Sequence, residues 1–469
     1  MHRCYFISIT DLTNRADQPG QAPDQARNLV AEWVRGGAAE EDTRRTVSAI
    51  LAEVRADGWA AVRRWTERLD GVALDPSPRR IPASALEAAR AQLDRDRPEL
   101  MAALREMIAR IRRFAEGQRG CLQDLDLALP GGGSVGERWC PLGAAGVYIP
   151  GGRAFYPSTL AMTVIPAQVA GVARIVGVTP PKAQPTLPGA WGVDPLVLAC
   201  AAELRLEELY PCGGAQALGW LAHGEPAVDL IAGPGNRFVA EAKRQLIGTC
   251  GIDALAGPTE VLVIADAGAD PTWLAEDLLA QAEHDPDAAA VLVSADRPLL
   301  EAVGRELQTR AEASPRRAVL AQSLSAHGRL VLARRDQAIA LAQAWAPEHL
   351  ELAVADPETW LPFLTTAGAV FIGSPSAEAF GDYGAGPNHV LPTGRSARYT
   401  SPLGVATFLK RQSLLRLAPA DAAALAPGVA RLAEAEGLPH HGRSAILRGD
   451  AETALRGQVD AAPRGHHHP

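Results

Sequence analysis

The apolar positions of this chain change period twice, and each change marks a change of architecture. Through residues 1–120 the repeat is helical. From Asp42 to Leu69, the residues Val47, Ile50, Leu51, Val54, Val62, Trp65 and Leu69 fall at helical spacing. Ser84 and Glu87 form a capping box that opens a further helix, and Leu104, Met107, Ile108, Ile111 and Phe114 continue an apolar stripe. Such a stripe is core or oligomer contact rather than a cofactor site. From Gly146 the pattern becomes short apolar runs separated by helical stretches such as Ser158 to Val172 and Asp194 to Glu203. Strands are expected from Val147 to Pro150, Ile175 to Thr179, Glu208 to Cys212 and Asp229 to Ala232. After Gly257 the alternation repeats, with strands expected from Glu260 to Asp266, Ala290 to Ser294, Arg329 to Ala333, Leu350 to Val354 and Ala369 to Gly373.

Two such runs in succession predict an α/β fold of two doubly wound, Rossmann-like lobes with parallel sheets. The expected division is a helical N-terminal region at 1–120, a first α/β lobe at 121–256, a second at 257–400 and a C-terminal tail at 401–469. The tail returns to helix and loop and has too few apolar positions for a core of its own. Ligands in open parallel sheets sit beyond the carboxyl ends of the strands, where the glycine-rich loops of this chain fall. One glycine motif is excluded: Gly131, Gly133 and Gly136 satisfy G-x-G-x-x-G, but extended chain rather than a helix follows, so a hairpin turn is expected.

The stretch from Gly251 to Pro286 carries the densest chemistry. Gly257 and Pro258 make a turn, an apolar strand follows, and Asp270 before Pro271 starts a helix that delivers Gln281 and His284 three apart on one face. Both can reach one point beyond the helix end. An isolated Q-x-x-H more often dresses a solvated terminus, because Gln is a poor metal ligand.

Composition narrows the partners. A net charge of −8 with interspersed signs leaves no basic stripe for nucleic acid and no polybasic segment for a membrane. The first residues lack the apolar run of a secretory signal, and no later stretch approaches a transmembrane length, so a cytoplasmic protein with a small-molecule partner is expected. The six cysteines (Cys4, Cys121, Cys140, Cys200, Cys212 and Cys250) show no C-x-x-C spacing and are expected to be reduced and structural. The terminal Gly-His-His-His-Pro, tag remnant or natural tail, is set aside.

A run of ordered blocks resembles the histidinol dehydrogenase family. Beyond the stretch above, these are GVYIPGG from Gly146, GGAQA from Gly213, GPGNRFVAEAKR from Gly233, APEHLEL from Ala346, GDYGAGPNHVLPTG from Gly381 and EGLPHH from Glu436. The resemblance implies zinc ligands Gln281, His284, Asp382 and His441, with the adjacent His440 as a rival to the last. It implies a catalytic pair, His349 as principal base and Glu348 handling water. That pair suits oxidation of an alcohol through an aldehyde to an acid, which needs a base for the hydroxyl proton and an activated water. Read alone, the pair is more often an exposed acid and histidine at a strand entry.

Since no side chain accepts hydride, such a reaction needs a nicotinamide, and the resemblance implies that it is NAD, with contacts at Tyr148, Gln216 and Asn236. Core packing and a turn cap are the plain alternatives for Tyr148 and Asn236. Substrate contacts implied are Thr259, Gln281, His284, His349, Asp382, Glu436 and His441, with Thr259 standing where the family usually has serine. His389 is expected to be structural. The implied reaction takes L-histidinol through L-histidinal to L-histidine with two NAD, in a homodimer whose exchanged tails complete shared active sites. The rivals are a zinc and NAD dehydrogenase of the same superfamily acting on another alcohol, such as a sulfonated propanediol, and a zinc-binding homologue without turnover. The carboxylate of Glu436 favours histidinol, the methyl of Thr259 the other alcohol, and the intact Glu348–His349 pair speaks against a mere binder.

Overall fold

The short apolar runs become parallel strands because helices cover both of their faces, which leaves no side on which a strand could alternate with water. The computed structural model describes residues 7–13, 22–33, 38–151, 156–184, 187–224 and 227–450. Its strands in chain order are β1 (Ile9–Asp11), β2 (Leu125–Ala128), β3 (Ser134–Pro141), β4 (Ala144–Tyr148), β5 (Arg174–Val178), β6 (Glu208–Tyr210) and β7 (Leu230–Ala232). There follow β8 (Gly251–Ile252), β9 (Glu260–Ala265), β10 (Ala289–Ser294), β11 (Arg329–Leu332), β12 (His349–Ala353), β13 (Ala369–Ile372) and β14 (Leu409–Arg416).

Two parallel sheets form the larger unit, which comprises residues 1–119 and 142–408. The first has the order β6-β5-β4-β7-β8 and the second β1-β11-β10-β9-β12-β13. In each the direction of strand addition reverses once, between β4 and β7 and between β9 and β12. Successive residues of a strand point to opposite faces, and the second sheet follows this closely. Val261, Val263 and Ala265 pack with Leu274, Leu278, Leu300 and Leu324, whereas Leu262, Ile264, Val291 and Val293 pack with Val30, Leu341 and Trp345.

The N-terminal region is not a separate helical body. β1 pairs in parallel with β11 at the edge of the second sheet, and the helix Ala22–Trp33 packs on one face of that sheet. The helices Ala38–Asp57 and Trp59–Asp70, separated at Gly58 in the left-handed region (φ 55), pack instead against the first sheet through Val47, Ile50, Val54 and Val62. The helix expected to open on a capping box at Ser84 starts at Ala83, with Pro82 as a cap residue that makes no side-chain hydrogen bond.

Residues 120–141 and 409–469 form the second unit, against the expectation that 121–141 would belong to the first lobe. The reason is an eight-residue antiparallel pairing of β3 with β14, from Leu409 opposite Pro141 to Arg416 opposite Ser134. β14 escaped sequence reading because it has no apolar alternation; all but its first residue are exposed. β2 and β3 make the expected hairpin, and the helices Pro419–Ala435 and Pro439–Gly449 follow β14. The turn between β2 and β3 is tied to the first of these helices by Asp421, which accepts the N–H groups of Gly131 (2.6 Å) and Gly133 (2.8 Å). Much of this unit's apolar surface remains exposed, including Leu415 (70%), Leu432 (68%) and Leu447 (61%).

Among the described residues no helix is long and apolar enough to cross a membrane, and the five described cysteines are free. The terminal histidine run lies outside the described residues. Asp421 is 5% exposed and also accepts the Ala418 N–H (3.2 Å), so Asp421→Ala should leave three amides without this acceptor, the Gly133 N–H buried among them. A buried unsatisfied donor costs about 1–3 kcal/mol, and the second unit should therefore lose at least about 1–3 kcal/mol. Urea-dependent proteolysis within residues 409–450 measures this; an unchanged midpoint would remove Asp421 from the account.

Candidate active site

The strand order of the first sheet reverses between β4 and β7, and the carboxyl ends of strands at such a reversal are where open parallel sheets take ligands. Tyr148 ends β4; it is 3% exposed, its hydroxyl accepts the Gly214 N–H (3.3 Å), and burial pushes it up to about 12. Gln216 lies in the first turn of the helix Gly214–His223, 1% exposed, and its Oε1 has no partner among the described residues. Asn236 caps the helix Arg237–Leu246, its Oδ1 accepting from the N–H groups of Phe238 and Val239. The three residues thus belong to elements at the carboxyl edge of one sheet. The orphaned Gln216 oxygen is the feature that fits a polar ligand, since a buried acceptor is seldom left unpaired.

The second group lies at the opposite kind of edge. Thr259 and Glu348 immediately precede β9 and β12, and His349 is the first residue of β12, so these side chains stand at the amino ends of neighbouring strands, not the carboxyl ends expected. The helix after β9 explains the placement. Pro271–Ala282 runs back along the sheet, and its C-terminus carries Gln281 and, two residues past the last turn, His284 to the amino edge. His349, Glu351 and Ala353 share one face of β12. The short helix Glu378–Tyr383 meets that face through its Glu378 N–H, which donates to Glu351 Oε1 (2.7 Å).

The bonding around His349 is specific. Its Nδ1–H donates to the Glu260 carbonyl oxygen (3.1 Å); because a carbonyl only accepts, the lone pair of the neutral ring is on Nε2. The ring is 4% exposed, and burial holds it down to about 3. Glu348 Oε2 accepts from Thr259 Oγ1 (2.5 Å) and from the Glu260 N–H (3.0 Å) and stands 3.7 Å from His349 Nδ1. Burial raises Glu348 well above the usual carboxylate range, against the opposing effect of those two donors.

Gln281, fully buried, is oriented by its neighbours. Its amide nitrogen donates to Glu378 Oε2 (2.8 Å), and its oxygen accepts from the Glu260 N–H (2.8 Å). Glu378 Oε1 lies 3.7 Å from His349 Nδ1. Burial, then the neighbouring Asp382 and Glu348, raises Glu378 well above its ordinary value. Asp382 is pushed up to about 7 by burial, and burial lowers His284.

Of the four expected metal ligands, the structure brings His284 and Asp382 together, and adds Glu378: one ligand atom from each of the three lies within 4.8 Å of the others. Nitrogen and carboxylate oxygens at this spacing are a donor set suited to zinc. Gln281 borders the group through Glu378, with its amide oxygen turned to Thr259 and Glu260. Glu378 was missed from the sequence, although its position four before Asp382 puts both on one helical face and was a usable signal. Glu436 ends the helix Pro419–Ala435, and His440 and His441 open the next one; all three are exposed and belong to the second unit. His389 is largely buried, its ring nitrogens 3.2 Å from Thr159 Oγ1 and from the Asp382 carbonyl oxygen, as expected of a structural histidine.

Comparison with known proteins adds the family. The family model for histidinol dehydrogenase matches residues 34–449. The histidinol dehydrogenase of Rhizobium meliloti is 43% identical over 412 residues, covering 87% of this chain and 92% of that one. That of Moorella thermoacetica is 45% identical over 414 residues, covering 87% and 95%. A crystal structure of histidinol dehydrogenase from Elizabethkingia anophelis matches with a TM-score of 0.85 at 30% identity, over 97% of this chain and 100% of that one. With the buried His349–Glu348 pair and the His284–Glu378–Asp382 group built on the same elements that carry the matching blocks, the chain belongs to the histidinol dehydrogenase family.

Proposed function

We propose that this chain is a zinc-dependent histidinol dehydrogenase that oxidises L-histidinol through L-histidinal to L-histidine, using two NAD. The observation that carries the reading is the tautomer of His349: buried, neutral, with Nδ1 tied to a backbone carbonyl and the Nε2 lone pair left as a base. When bound, the nicotinamide would supply the hydride acceptor and the zinc would hold and orient the substrate. His284 and Asp382 would hold the metal with Gln281 and His441, and Glu378 is placed to join or support them. Tyr148, Gln216 and Asn236 would bind the dinucleotide in the crevice of the first of two doubly wound, Rossmann-like lobes.

His349 Nε2 removes the hydroxyl proton in the first oxidation, and the Glu260 carbonyl stabilises the imidazolium through Nδ1–H. In the second oxidation Glu348 takes a proton from water. Its raised proton affinity makes it a stronger base than an ordinary carboxylate, and Thr259 Oγ1 and the Glu260 N–H hold its Oε2 in place. Burial of the pair keeps bulk water from the aldehyde between the two steps. The Thr259 hydroxyl is engaged with Glu348, and its methyl is the one feature that favours the sulfonated propanediol as substrate. Glu436 supplies the carboxylate for the substrate amine under the histidinol reading.

The second unit's exposed leucines and its two exposed site residues support a homodimer in which the tail of each copy completes the site of the other. A cytoplasmic location accords with biosynthetic chemistry and with interspersed surface charge.

Three outcomes are expected. Chelation should abolish histidinol oxidation, and His284→Asn should lower bound zinc, measured by metal analysis, well below one per chain; full activity of metal-free protein would sink the zinc assignment.

Complete conversion should give two NADH per histidinol with little free aldehyde, and no NADH from the propanediol. His349→Asn should slow both oxidations by about 10²–10⁴-fold, the usual worth of a general base, whereas Glu348→Gln should slow oxidation of histidinal more than that of histidinol. Small, equal effects in single-turnover assays of each step would show that the pair is not catalytic.

For the shared site, inactive His349→Asn and His441→Asn chains are unfolded together and refolded with zinc. Half of the dimers formed at random are mixed, and each mixed dimer has one intact site, so about a quarter of wild-type activity should return. A fully refolded mixture that stays inactive would place each His441 in its own subunit's site.

A further inference from the structure

The helix Arg237–Leu246 buries Val239, Ala242, Lys243 and Leu246 on one face. A lysine is out of place in that series. Lys243 is 2% exposed and is among the largest of the fully buried side chains. Its Nζ pairs with Asp253 Oδ1 at 2.5 Å, the two side chains being 2% and 3% exposed. An ion pair sealed this way is seldom retained for stability, because a well-packed apolar pair of the same size serves as well or better.

Both members of the pair converge on Gly233. Lys243 Nζ donates to the Gly233 carbonyl oxygen, and the Gly233 N–H donates to Asp253 Oδ2 (2.7 Å). Asp253 Oδ1 also accepts the Ala254 N–H (2.6 Å), which fixes the carboxylate. Both polar groups of Gly233 are therefore held by one ion pair. Gly233 has φ 114, a conformation side chains avoid, and an added Cβ would lie 2.3 Å from the Tyr148 carbonyl oxygen. It is the first residue after β7 and opens the turn Gly233-Pro234-Gly235-Asn236, across the strand-order reversal from Tyr148 at the end of β4.

We infer that Lys243 and Asp253 are positioning residues for the dinucleotide: they clamp Gly233 so that the turn carrying Asn236 keeps a fixed distance from Tyr148. This rests on reading the β4–β7 crevice as the NAD site. Lys243 reaches the cofactor only through the turn. Its ammonium is engaged on the inner side, so it supplies no direct phosphate contact. The chemistry of oxidation, carried at the other sheet, is untouched by the clamp.

The test uses the full-length, zinc-loaded enzyme and NADH as the probe, its binding followed by fluorescence. Lys243→Met should raise the NADH Kd and the KM for NAD at least about tenfold, the scale of one misplaced hydrogen-bonding group. The KM for histidinol, the zinc content and kcat at saturating NAD should stay within about twofold of wild type, which is the signature of lost binding alone. A general loss of fold would instead lower kcat through the active fraction and leave the Kd of the folded molecules unchanged; that result overturns the inference. If Lys243→Met does not fold, Lys243→Met/Asp253→Asn, which leaves no unpaired buried charge, carries the same expectation. Failure of both to fold would make the pair a folding element and overturn it too. Tyr148→Ala is measured alongside. Weakened NADH binding there with wild-type binding in the Lys243 variant refutes the clamp alone, and unchanged binding in Tyr148→Ala refutes the nucleotide site on which it rests.

Discussion

The hydrogen bond from His349 Nδ1–H to the Glu260 carbonyl oxygen decides which nitrogen can take a proton, and the register of the second sheet decides that bond. β12 pairs with β9 so that His349 stands opposite Val261. A slip of one residue would turn His349 toward the packed face now held by Leu350 and Leu352, and would bring those leucines to the polar face. The apolar alternation on the two faces of β9 and β12 holds that register. The core of the lobe thus fixes the tautomer of this imidazole.

Around this imidazole the lobe collects acids. Glu348, Glu351 and Glu378 are each at most 6% exposed, and Asp382 lies beside them. Burial raises all four, and mutual repulsion adds to it for Glu348, Glu351 and Glu378. The same effect extends outward to Asp277, which hydrogen-bonds Glu351. Carboxyl groups so placed either share protons or share a cation, since their ionised forms cannot coexist in a dry setting without one. Burial holds His349 and His389 neutral, to about 3 and about 4, so neither ring supplies the missing positive charge. The site therefore has a neutral imidazole next to a surplus of acid, an arrangement that the zinc of the proposed function would complete.

Sequence legibility followed the same physics. Strands with both faces buried read clearly as apolar runs; β9 to β13 lie within a residue or two of their expected ends. β14 did not, because a strand without a buried face leaves no periodic trace. β8, two residues long, is too short to have any. The chemistry divided likewise. His284, Asp382, Glu348 and His349 stood out within motif blocks, but Glu378 was passed over because an acid on a short helix resembles a solvated one until the sheet is seen beneath it. Lys243 was hidden for the same reason, as one more base in a run that reads Lys-Arg-Gln. The expectation about strand ends failed in the second lobe because it considered only the loops that leave strands, whereas Gln281 and His284 arrive on a helix that returns to the strand starts.

That difference sets the task of the loop after Asp382. Under the proposed function, nucleotide residues at the carboxyl edge of one sheet and acid–base residues at the amino edge of the other would face a single substrate only if the two lobes keep a fixed relation. Asn388, 8% exposed, donates from its amide to the Met162 carbonyl oxygen on the helix Pro157–Ala170 (2.7 Å), while its Oδ1 accepts the Val390 N–H (2.9 Å). His389 reaches Thr159 on that helix with one nitrogen and the Asp382 carbonyl with the other. The helix belongs to the first lobe and Asp382 to the second. A hydride can pass only between carbons held within van der Waals contact, so under the proposed function the polar stitches of Asn388 and His389 would be as much a condition of the reaction as the base, and that gives His389 a structural reason to sit beside Asp382.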